Sequence, residues 1–397
     1  MLHGLNSRRP ARVLIVDDSA FVRRTLRTLL LSCGELEVVG AATDGNEGLR
    51  LVEELAPDVI TLDLEMPRLD GFAFLRILMR RFPIPVVVVS SFAERQTVLR
   101  ALELGAVDFV AKPEKAASPN LVQIRGELVD KLLAAVGSRV SELRRRMDSE
   151  REGQPELSGD AGNQERAGGE GQSSAELRPA EGATGLISAP GDGLAGARPE
   201  TQTRRPANRV VVVGASTGGP SSLRRLFASL PPELPAAVVV AQHMPPRFTR
   251  AFAERLDRQL PWKVREAEQG ELLNTGELFI APGGHHTEVV RREGHLAIEV
   301  HRAGPKDRYA PSADRLFSSA ADAGGDRVVC LVLTGMGSDG VLGVQYVKVH
   351  GGRVLAESEE TAVVFGMPRA AIASGAVDEV LPLEAIAPRL VQILGPF

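Results

Sequence analysis

Residues 210–219, VVVVGASTGG, combine an apolar run with a glycine-rich turn. Four consecutive valines are typical of a buried β-strand, and the turn that follows presents Ser216 at the carboxyl end of that strand. Gly214, Ser216 and Gly218 satisfy the G-x-S-x-G pattern of a nucleophile elbow. A serine hydroxyl is a weak nucleophile at neutral pH unless a base lies beside it. Glycine-rich turns after strands also bind phosphate groups, so a phosphate cradle is the alternative interpretation.

Two further residues could complete a nucleophilic site. His243 follows the apolar run AAVVVAQ, and Asp339 follows VVCLVLTGMGS. The carboxyl ends of parallel strands meet at one edge of a sheet, so Ser216, His243 and Asp339 together predict acyl-transfer chemistry. Asp339 could instead cap the next helix. His350 is a rival base that keeps the Ser–Asp–His chain order of α/β-hydrolases, but its place before two glycines favours a helix C-cap.

A second group of polar residues lies near the N-terminus. Asp17 and Asp18 end one apolar run, Asp63 ends another, and Ser90 and Lys112 end two more. Three carboxylates at one sheet edge repel one another unless a hard dication such as Mg²⁺ joins them. A carboxylate, a metal, a hydroxyl and an ammonium group together suit phosphoryl transfer onto an aspartate.

The elements that position these residues alternate along the chain. Residues 12–137 contain five apolar runs separated by amphipathic helical stretches, which predicts a five-stranded parallel sheet with helices on both faces. The alternation resumes at Arg209 and predicts a second, doubly wound and mostly parallel α/β domain. There, TEVVRREGHLAIEV indicates a hairpin on that sheet. Residues 151–200 contain eleven glycines and no aromatic residue, which is typical of a flexible tether.

Size and composition limit the classes of function. The 397 residues exceed one ordinary domain, and the predicted division is a first domain at 10–140, a linker at 141–207 and a second domain at 208–397. The net charge of −4 and the absence of a helix-turn-helix pattern argue against a nucleic-acid partner. The turn also lacks the G-x-G-x-x-G spacing and the P-loop lysine of nucleotide-binding motifs. Two distant cysteines and no long apolar stretch favour a cytoplasmic protein without membrane insertion.

Residues 12–137 resemble a response-regulator receiver domain, with a flavodoxin-like five-stranded parallel sheet. That resemblance implies that Asp63 is the phospho-acceptor and that Mg²⁺ is bound in this domain. It implies direct metal ligation by Asp18 and Asp63, ligation by Asp17 through water, and ligation by the backbone carbonyl of Glu65. It further implies that Lys112 contacts the phosphate, and that the residues that rearrange on phosphorylation are Ser90 and Phe109.

Residues 209–394 resemble the catalytic domain of the chemotaxis protein-glutamate methylesterases (the CheB family). The matching motifs are GASTGGP, QHMP, APGGHH, PSADRLFSSAA, LTGMGSDG and VFGMPRAAIASGAVDEVLPL. The resemblance implies that Ser216 is the nucleophile, His243 the base and Asp339 the residue that orients the imidazole. It also implies an oxyanion contact from the Met336 backbone N–H, with Thr217 adjoining the site.

The two resemblances together imply a receptor-modifying esterase. It would hydrolyse glutamate methyl esters on the cytoplasmic regions of chemoreceptors and release methanol, and it would also deamidate receptor glutamines. The implied partners are methyl-accepting chemoreceptors as substrate and a sensor histidine kinase as phosphodonor, and the esterase reaction needs no cofactor. Two features depart from the family: the linker is longer, and His285 and His286 stand where an arginine is expected beside APGG.

Overall fold

The structure, a computed structural model, describes residues 9–90, 95–112, 121–138 and 205–395. Almost all of the predicted linker at 141–207 lies outside these residues. No helix in the described ranges is both long enough and apolar enough to cross a membrane.

The N-terminal unit contains the predicted five-stranded parallel sheet. The strand order is β2-β1-β3-β4-β5, and every neighbouring pair is parallel. The strands are short, and β3, β4 and β5 are buried throughout because helices cover both faces, whereas the edge strand β2 is mostly half-buried. They are β1 (Ala11–Val16), β2 (Leu36–Ala42), β3 (Val59–Leu62), β4 (Val86–Ser90) and β5 (Asp108–Ala111). The helices are α1 (Ala20–Leu31), α2 (Gly45–Leu55), α3 (Gly71–Arg81), α4 (Arg95–Glu103) and α5 (Leu121–Val136).

The C-terminal unit has a seven-stranded sheet in the order β14-β13-β12-β6-β7-β9-β8, and all its neighbouring pairs are parallel. The three central strands consist mainly of valine, alanine and leucine, and every residue in them is buried. The sheet strands are β6 (Val210–Ala215), β7 (Ala237–Gln242), β8 (Lys263–Glu266), β9 (Glu277–Ile280), β12 (Val328–Val332), β13 (Arg353–Glu357) and β14 (Glu379–Leu381). The helices are α6 (Gly219–Ala228), α7 (Phe248–Gln259), α8 (Ala313–Gly324), α9 (Val341–Val349), α10 (Met367–Ala373) and α11 (Leu383–Leu394), with a 3₁₀ turn at Gly325–Arg327.

The predicted hairpin forms, but it does not join the large sheet. Its strands, β10 (His285–Arg292) and β11 (His295–Arg302), form a separate two-stranded sheet, and β11 also makes an isolated antiparallel bridge from Ala297 to Leu272. The hairpin packs instead on α8, where the Val289 N–H donates to Ser319 Oγ at 3.0 Å. The expectation of a hairpin on the large sheet is therefore wrong. The buried side chains of β10 pack against α8, so the hairpin is held by its face and not by strand pairing with the large sheet.

The two units contact each other along α4 and β5 of the first and α6 and α7 of the second. Arg255 on α7 forms a bidentate ion pair with Glu103 on α4, and Gln259 donates to the same carboxylate. Immediately before β5, the Val107 carbonyl accepts a hydrogen bond from the Gly218 N–H at 3.2 Å. The first unit therefore lies directly against the glycine-rich turn that follows β6.

Candidate active site and receiver pocket

The order of strands in the large sheet explains why three distant residues meet. Ser216 follows β6 directly, His243 follows β7, and Asp339 lies in the loop after β12. Since β6 lies between β12 and β7, the three loops emerge side by side at one edge. Backbone hydrogen bonds hold them there: Ser216 N donates to the Thr334 carbonyl at 3.0 Å, and His243 N donates to the Ala215 carbonyl at 2.9 Å.

His243 and Asp339 form a direct pair. The imidazole Nε2 lies 2.7 Å from Asp339 Oδ2, and the aspartate is 3% exposed. The same carboxylate accepts hydrogen bonds from Ser312 Oγ and from the backbone N–H groups of Ala313 and Asp314. Burial alone raises the pKa of Asp339, but the His243 contact and these N–H groups lower it overall. Asp339 is thus held as a carboxylate that can orient the imidazole.

The two alternatives raised for these residues are resolved by their contacts. Asp339 accepts from backbone N–H groups at the N-terminus of α8, whereas the next helix, α9, has Gly340 as its N-cap and no side-chain cap. His350 ends α9, and its ring contacts the Tyr346 carbonyl and Asp322 instead of Asp339. The rival trio that includes His350 is therefore not assembled.

The loop from Gly335 to Gly337 passes close over Ser216. A Cβ atom on Gly335 would lie 2.8 Å from Ser216 Cβ, so only glycine permits this approach. The Met336 N–H and the Thr217 N–H donate to no other residue in the described part of the chain. They are two backbone donors beside the serine, which is the arrangement that stabilises a developing oxyanion.

Tyr309 is a neighbour of the site that the sequence did not indicate. Its ring stacks on the His243 imidazole with centroids 4.7 Å apart and planes 9° from parallel. The residue lies in an irregular loop between β11 and α8, where no periodic pattern predicts a contact. That loop is tied to the hairpin because His286 Nε2 contacts Asp307 Oδ2 at 2.9 Å. His285 Nδ1 instead contacts the Gly283 carbonyl at 3.2 Å, so this contact supports the turn before β10 and not the loop of Tyr309.

A buried carboxylate supports the loop after β12 from behind. Glu357, at the end of β13, accepts hydrogen bonds from the Thr334 N–H at 2.8 Å and from Thr361 Oγ1 at 3.0 Å. It is 0% exposed. This burial raises the pKa of Glu357 to about 7, although the two hydrogen bonds oppose the rise. The Thr334 carbonyl in turn accepts from Ser216 N, so Glu357 is linked to the serine through one residue.

The N-terminal unit gathers the predicted acidic residues at one edge of its sheet. Asp17, Asp18 and Asp63 each place a carboxylate oxygen within 4.8 Å of the others. Lys112 Nζ lies 2.6 Å from Asp63 Oδ2 and 3.5 Å from Asp17 Oδ2. Burial raises the pKa of Asp17 to about 6, and its Oδ2 is buried without a hydrogen-bond partner in the described residues. This oxygen makes an ion-pair contact with Lys112 but no hydrogen bond in the described residues, and its place among three carboxylates fits a hard cation such as Mg²⁺. Glu65 lies two residues beyond Asp63, on the same loop.

The two predicted switch positions lie on neighbouring strands. Ser90 is the last residue of β4 and is 1% exposed, and Phe109 is the second residue of β5. The Phe109 ring packs against Phe248 of the C-terminal unit with centroids 4.5 Å apart, and Lys131 Nζ lies 5.0 Å from the centre of the same ring. Phe109 therefore belongs to the contact between the two units.

Both units match described protein families. The family described as "Response regulator receiver domain" matches residues 13–123, and the family described as "CheB methylesterase" matches residues 211–390. A protein of Geobacter sulfurreducens named protein-glutamate methylesterase/protein-glutamine glutaminase 3 is 46% identical over 98% of both chains. A Pyrococcus abyssi protein of the same name, without the number, is 37% identical over 97% of this chain and 94% of its own. The crystal structure of the Thermotoga maritima CheB methylesterase catalytic domain is 40% identical over 47% of this chain and 98% of its own, with a TM-score of 0.46.

The fold and these relatives define a class: a response regulator whose receiver domain is joined to a methylesterase domain with an α/β fold. Within that class, the chain belongs to the CheB family of protein-glutamate methylesterases/protein-glutamine glutaminases. The family that the sequence motifs indicated is confirmed, as is the α/β architecture of both domains.

Proposed function

We propose that Ser216, His243 and Asp339 catalyse the hydrolysis of protein-glutamate methyl esters. The observation that carries this proposal is the buried His243–Asp339 pair at the same sheet edge as Ser216. Because Nε2 is held by Asp339, the other ring nitrogen, Nδ1, receives the serine proton. A carboxylate that orients the imidazole in this way is the third member of a nucleophile–base–orienter arrangement.

The reaction then proceeds in two halves. Ser216 Oγ attacks the ester carbonyl while its proton moves to His243 Nδ1, and the oxyanion accepts hydrogen bonds from the Met336 and Thr217 N–H groups. The C–O bond to the methoxy group breaks, and methanol leaves with the proton from the imidazolium. Water, deprotonated by His243, attacks the acyl-enzyme and releases a glutamate carboxylate and free Ser216. A glutamine side chain follows the same route, with ammonia as the leaving group.

The substrate and partners follow from the family. The relatives are named for protein-bound glutamate esters and glutamine, and we assign to this chain the methylated cytoplasmic helices of chemoreceptors. The partner that phosphorylates the receiver is a sensor histidine kinase. The proposed division is a receiver at 10–140, a linker at 141–207 and a catalytic domain at 208–397. The reaction takes place in the cytoplasm, where Cys33 and Cys330 remain thiols.

For the receiver, we propose Asp63 as the phospho-acceptor. Asp17, Asp18, Asp63 and the Glu65 carbonyl would hold Mg²⁺, and the bound ion supplies charge neutralisation for the incoming phosphoryl group. Lys112 contacts the phosphate, because its ammonium group already lies 2.6 Å from Asp63. Ser90 and Phe109 change position on phosphorylation.

The proposed regulation rests on contacts between the receiver and the residue next to Ser216. Thr217, next to Ser216, is 2% exposed, and its hydroxyl donates to Asp108 Oδ2 of the receiver at 2.5 Å. Asp108 precedes Phe109, which packs on Phe248 of the catalytic domain. A rearrangement of Phe109 on phosphorylation would remove this packing and the Asp108–Thr217 hydrogen bond together. The unphosphorylated receiver is therefore proposed to restrict access to Ser216.

A fluorophosphonate probe, which reacts with activated serines, tests the proposed nucleophile. With acetyl phosphate and Mg²⁺ present, we expect wild type to be labelled and Ser216→Ala to remain unlabelled. Ser221→Ala, which removes a nearby serine hydroxyl from the same helix start, is the matched control and should be labelled like wild type. Labelling that persists in Ser216→Ala would exclude Ser216 as the nucleophile.

The role of the Asp108–Thr217 hydrogen bond in restricting access to Ser216 is tested separately with Thr217→Val and Asp108→Asn. Thr217→Val removes the hydroxyl donor, and Asp108→Asn replaces the charged acceptor with a neutral amide that accepts a weaker hydrogen bond; both keep a similar side-chain size. We expect faster labelling without acetyl phosphate in both variants, and little further increase when acetyl phosphate is added. Unchanged labelling in the unphosphorylated variants would show that this contact does not hold the receiver over the site.

A further inference from the structure

Gln242, the last residue of β7, makes a contact for which the proposed reaction has no role. Its side chain is 2% exposed. The side-chain amide donates to the Ser216 carbonyl at 3.0 Å and to the His243 carbonyl at 3.1 Å. One buried carboxamide therefore joins the backbone of the proposed nucleophile to the backbone of the proposed base.

The position of these bonds matters because the strand ladder ends here. The last backbone bond between the β6 and β7 segments runs from His243 N to the Ala215 carbonyl. The next residue, Ser216, donates its backbone N–H to the Thr334 carbonyl, which follows β12 on the opposite side of β6 from β7. Gln242 supplies the connection from Ser216 back to the histidine segment.

The orientation of the amide is determined by its surroundings. Two carbonyl oxygens face one end of the side chain, and only the NH₂ group can donate to both. Oε1 consequently points the other way, where it is buried without a hydrogen-bond partner in the described residues. A Cβ atom on Gly219 would lie 2.0 Å from this oxygen, so the glycine leaves the space that the amide occupies. Burial of an unpaired oxygen costs free energy. The two hydrogen bonds that Nε2 donates to the Ser216 and His243 carbonyls offset this cost.

We propose that Gln242 is a positioning residue for the esterase reaction, setting the distance between the Ser216 hydroxyl and the His243 imidazole. This inference rests on the proposed function of Ser216 and His243. Gln242 does not contact the ester, since both of its donors are used on backbone carbonyls. A displacement of about 1 Å between reacting groups reduces rates by about 10²-fold, so loss of this clamp acts on the chemical step.

Gln242→Met and Gln242→Glu test the proposal in the full chain with acetyl phosphate and Mg²⁺. Both keep the approximate side-chain volume, but neither supplies the two donors. We expect kcat for a glutamate methyl ester to fall at least about tenfold with KM within about twofold of wild type. Gln345→Met, on the exposed side of α9, is the matched control and should behave like wild type. Fluorescence of the single tryptophan, Trp262, checks that each variant is folded.

A double-mutant cycle separates positioning from a general loss of stability. Fluorophosphonate labelling is measured for Gln242→Met alone, His243→Ala alone and the two together. We expect Gln242→Met to slow labelling in the wild-type background and to have no further effect when His243 is absent. Equal losses in both backgrounds, or wild-type kcat in both Gln242 variants, would overturn the proposal. Labelling that survives Ser216→Ala would instead refute the proposed nucleophile, so the two failures are distinguishable.

Discussion

Replacement of Glu357 by glutamine should change how the stability of the catalytic domain depends on pH. Burial raises the pKa of this carboxyl from 4.5 to about 7. Between these two values the folded state binds the proton and the unfolded state releases it, so stability falls as pH rises through this window. At 1.36 kcal/mol per pKa unit, the full loss is about 3 kcal/mol. Above about pH 7 the loss is complete and the pH dependence from this group ends.

Glutamine cannot ionise but retains an oxygen that can accept from the Thr334 N–H. The free energy of unfolding of Glu357→Gln, relative to wild type, should therefore rise by about 3 kcal/mol between about pH 4 and about pH 8. Urea unfolding followed by Trp262 fluorescence reports on the catalytic domain alone, since this is the only tryptophan in the chain. Glu233→Gln, at an exposed position, controls for the lost negative charge. Parallel curves for wild type and Glu357→Gln would refute the argument that burial keeps this group protonated.

Three further predictions concern the site and its cover. Arg255→Ala breaks the ion pair with Glu103 and should raise methanol release by the unphosphorylated protein about tenfold, which corresponds to about 1.4 kcal/mol; an unchanged basal rate would contradict it. In Gly337→Ala, the new Cβ would lie 2.6 Å from the Tyr309 hydroxyl, at a residue whose φ is +90°. Because this clash displaces the loop or the Tyr309 ring beside His243, kcat should fall about 10- to 100-fold. A wild-type kcat would refute this. Asp339→Asn should lower kcat by about 10⁴-fold, as in the equivalent change of the trypsin triad, without unfolding the domain; a loss below tenfold would remove Asp339 from the proposed triad.

Much of the fold could be predicted because its strands are continuous apolar runs. β1, β6 and β12 each contain four or more buried residues in sequence, and this pattern is typical of a parallel sheet. The sequence pattern does not predict β8 and β14. The first reads Lys-Val-Arg-Glu and the second has only three residues, so neither carries an apolar pattern, and both lie at the edges of the sheet.

The chemical residues of the site could be identified, but their supports could not. Ser216 and His243 follow strongly apolar strands, so their place at the sheet edge follows from parallel topology. Whether the Asp339 carboxylate caps a helix or contacts His243 depends on how α8 packs against the loop after β12. No local sequence pattern predicts that packing. Tyr309 lies 30 residues before Asp339 in the sequence and reaches the site by stacking on His243. Glu357 lies 18 residues after Asp339 and acts through the backbone N–H of Thr334. Such contacts are set by tertiary packing, which spacing in the chain does not encode.

Methanol release from a methylated receptor tests the central claim most directly. Wild type, Ser216→Ala and Asp63→Asn are compared with and without acetyl phosphate and Mg²⁺. The account predicts release that requires Ser216 and that rises with acetyl phosphate only when Asp63 is present. Release by Ser216→Ala at the wild-type rate would contradict the proposed nucleophile, and equal stimulation of Asp63→Asn would contradict the proposed phospho-acceptor.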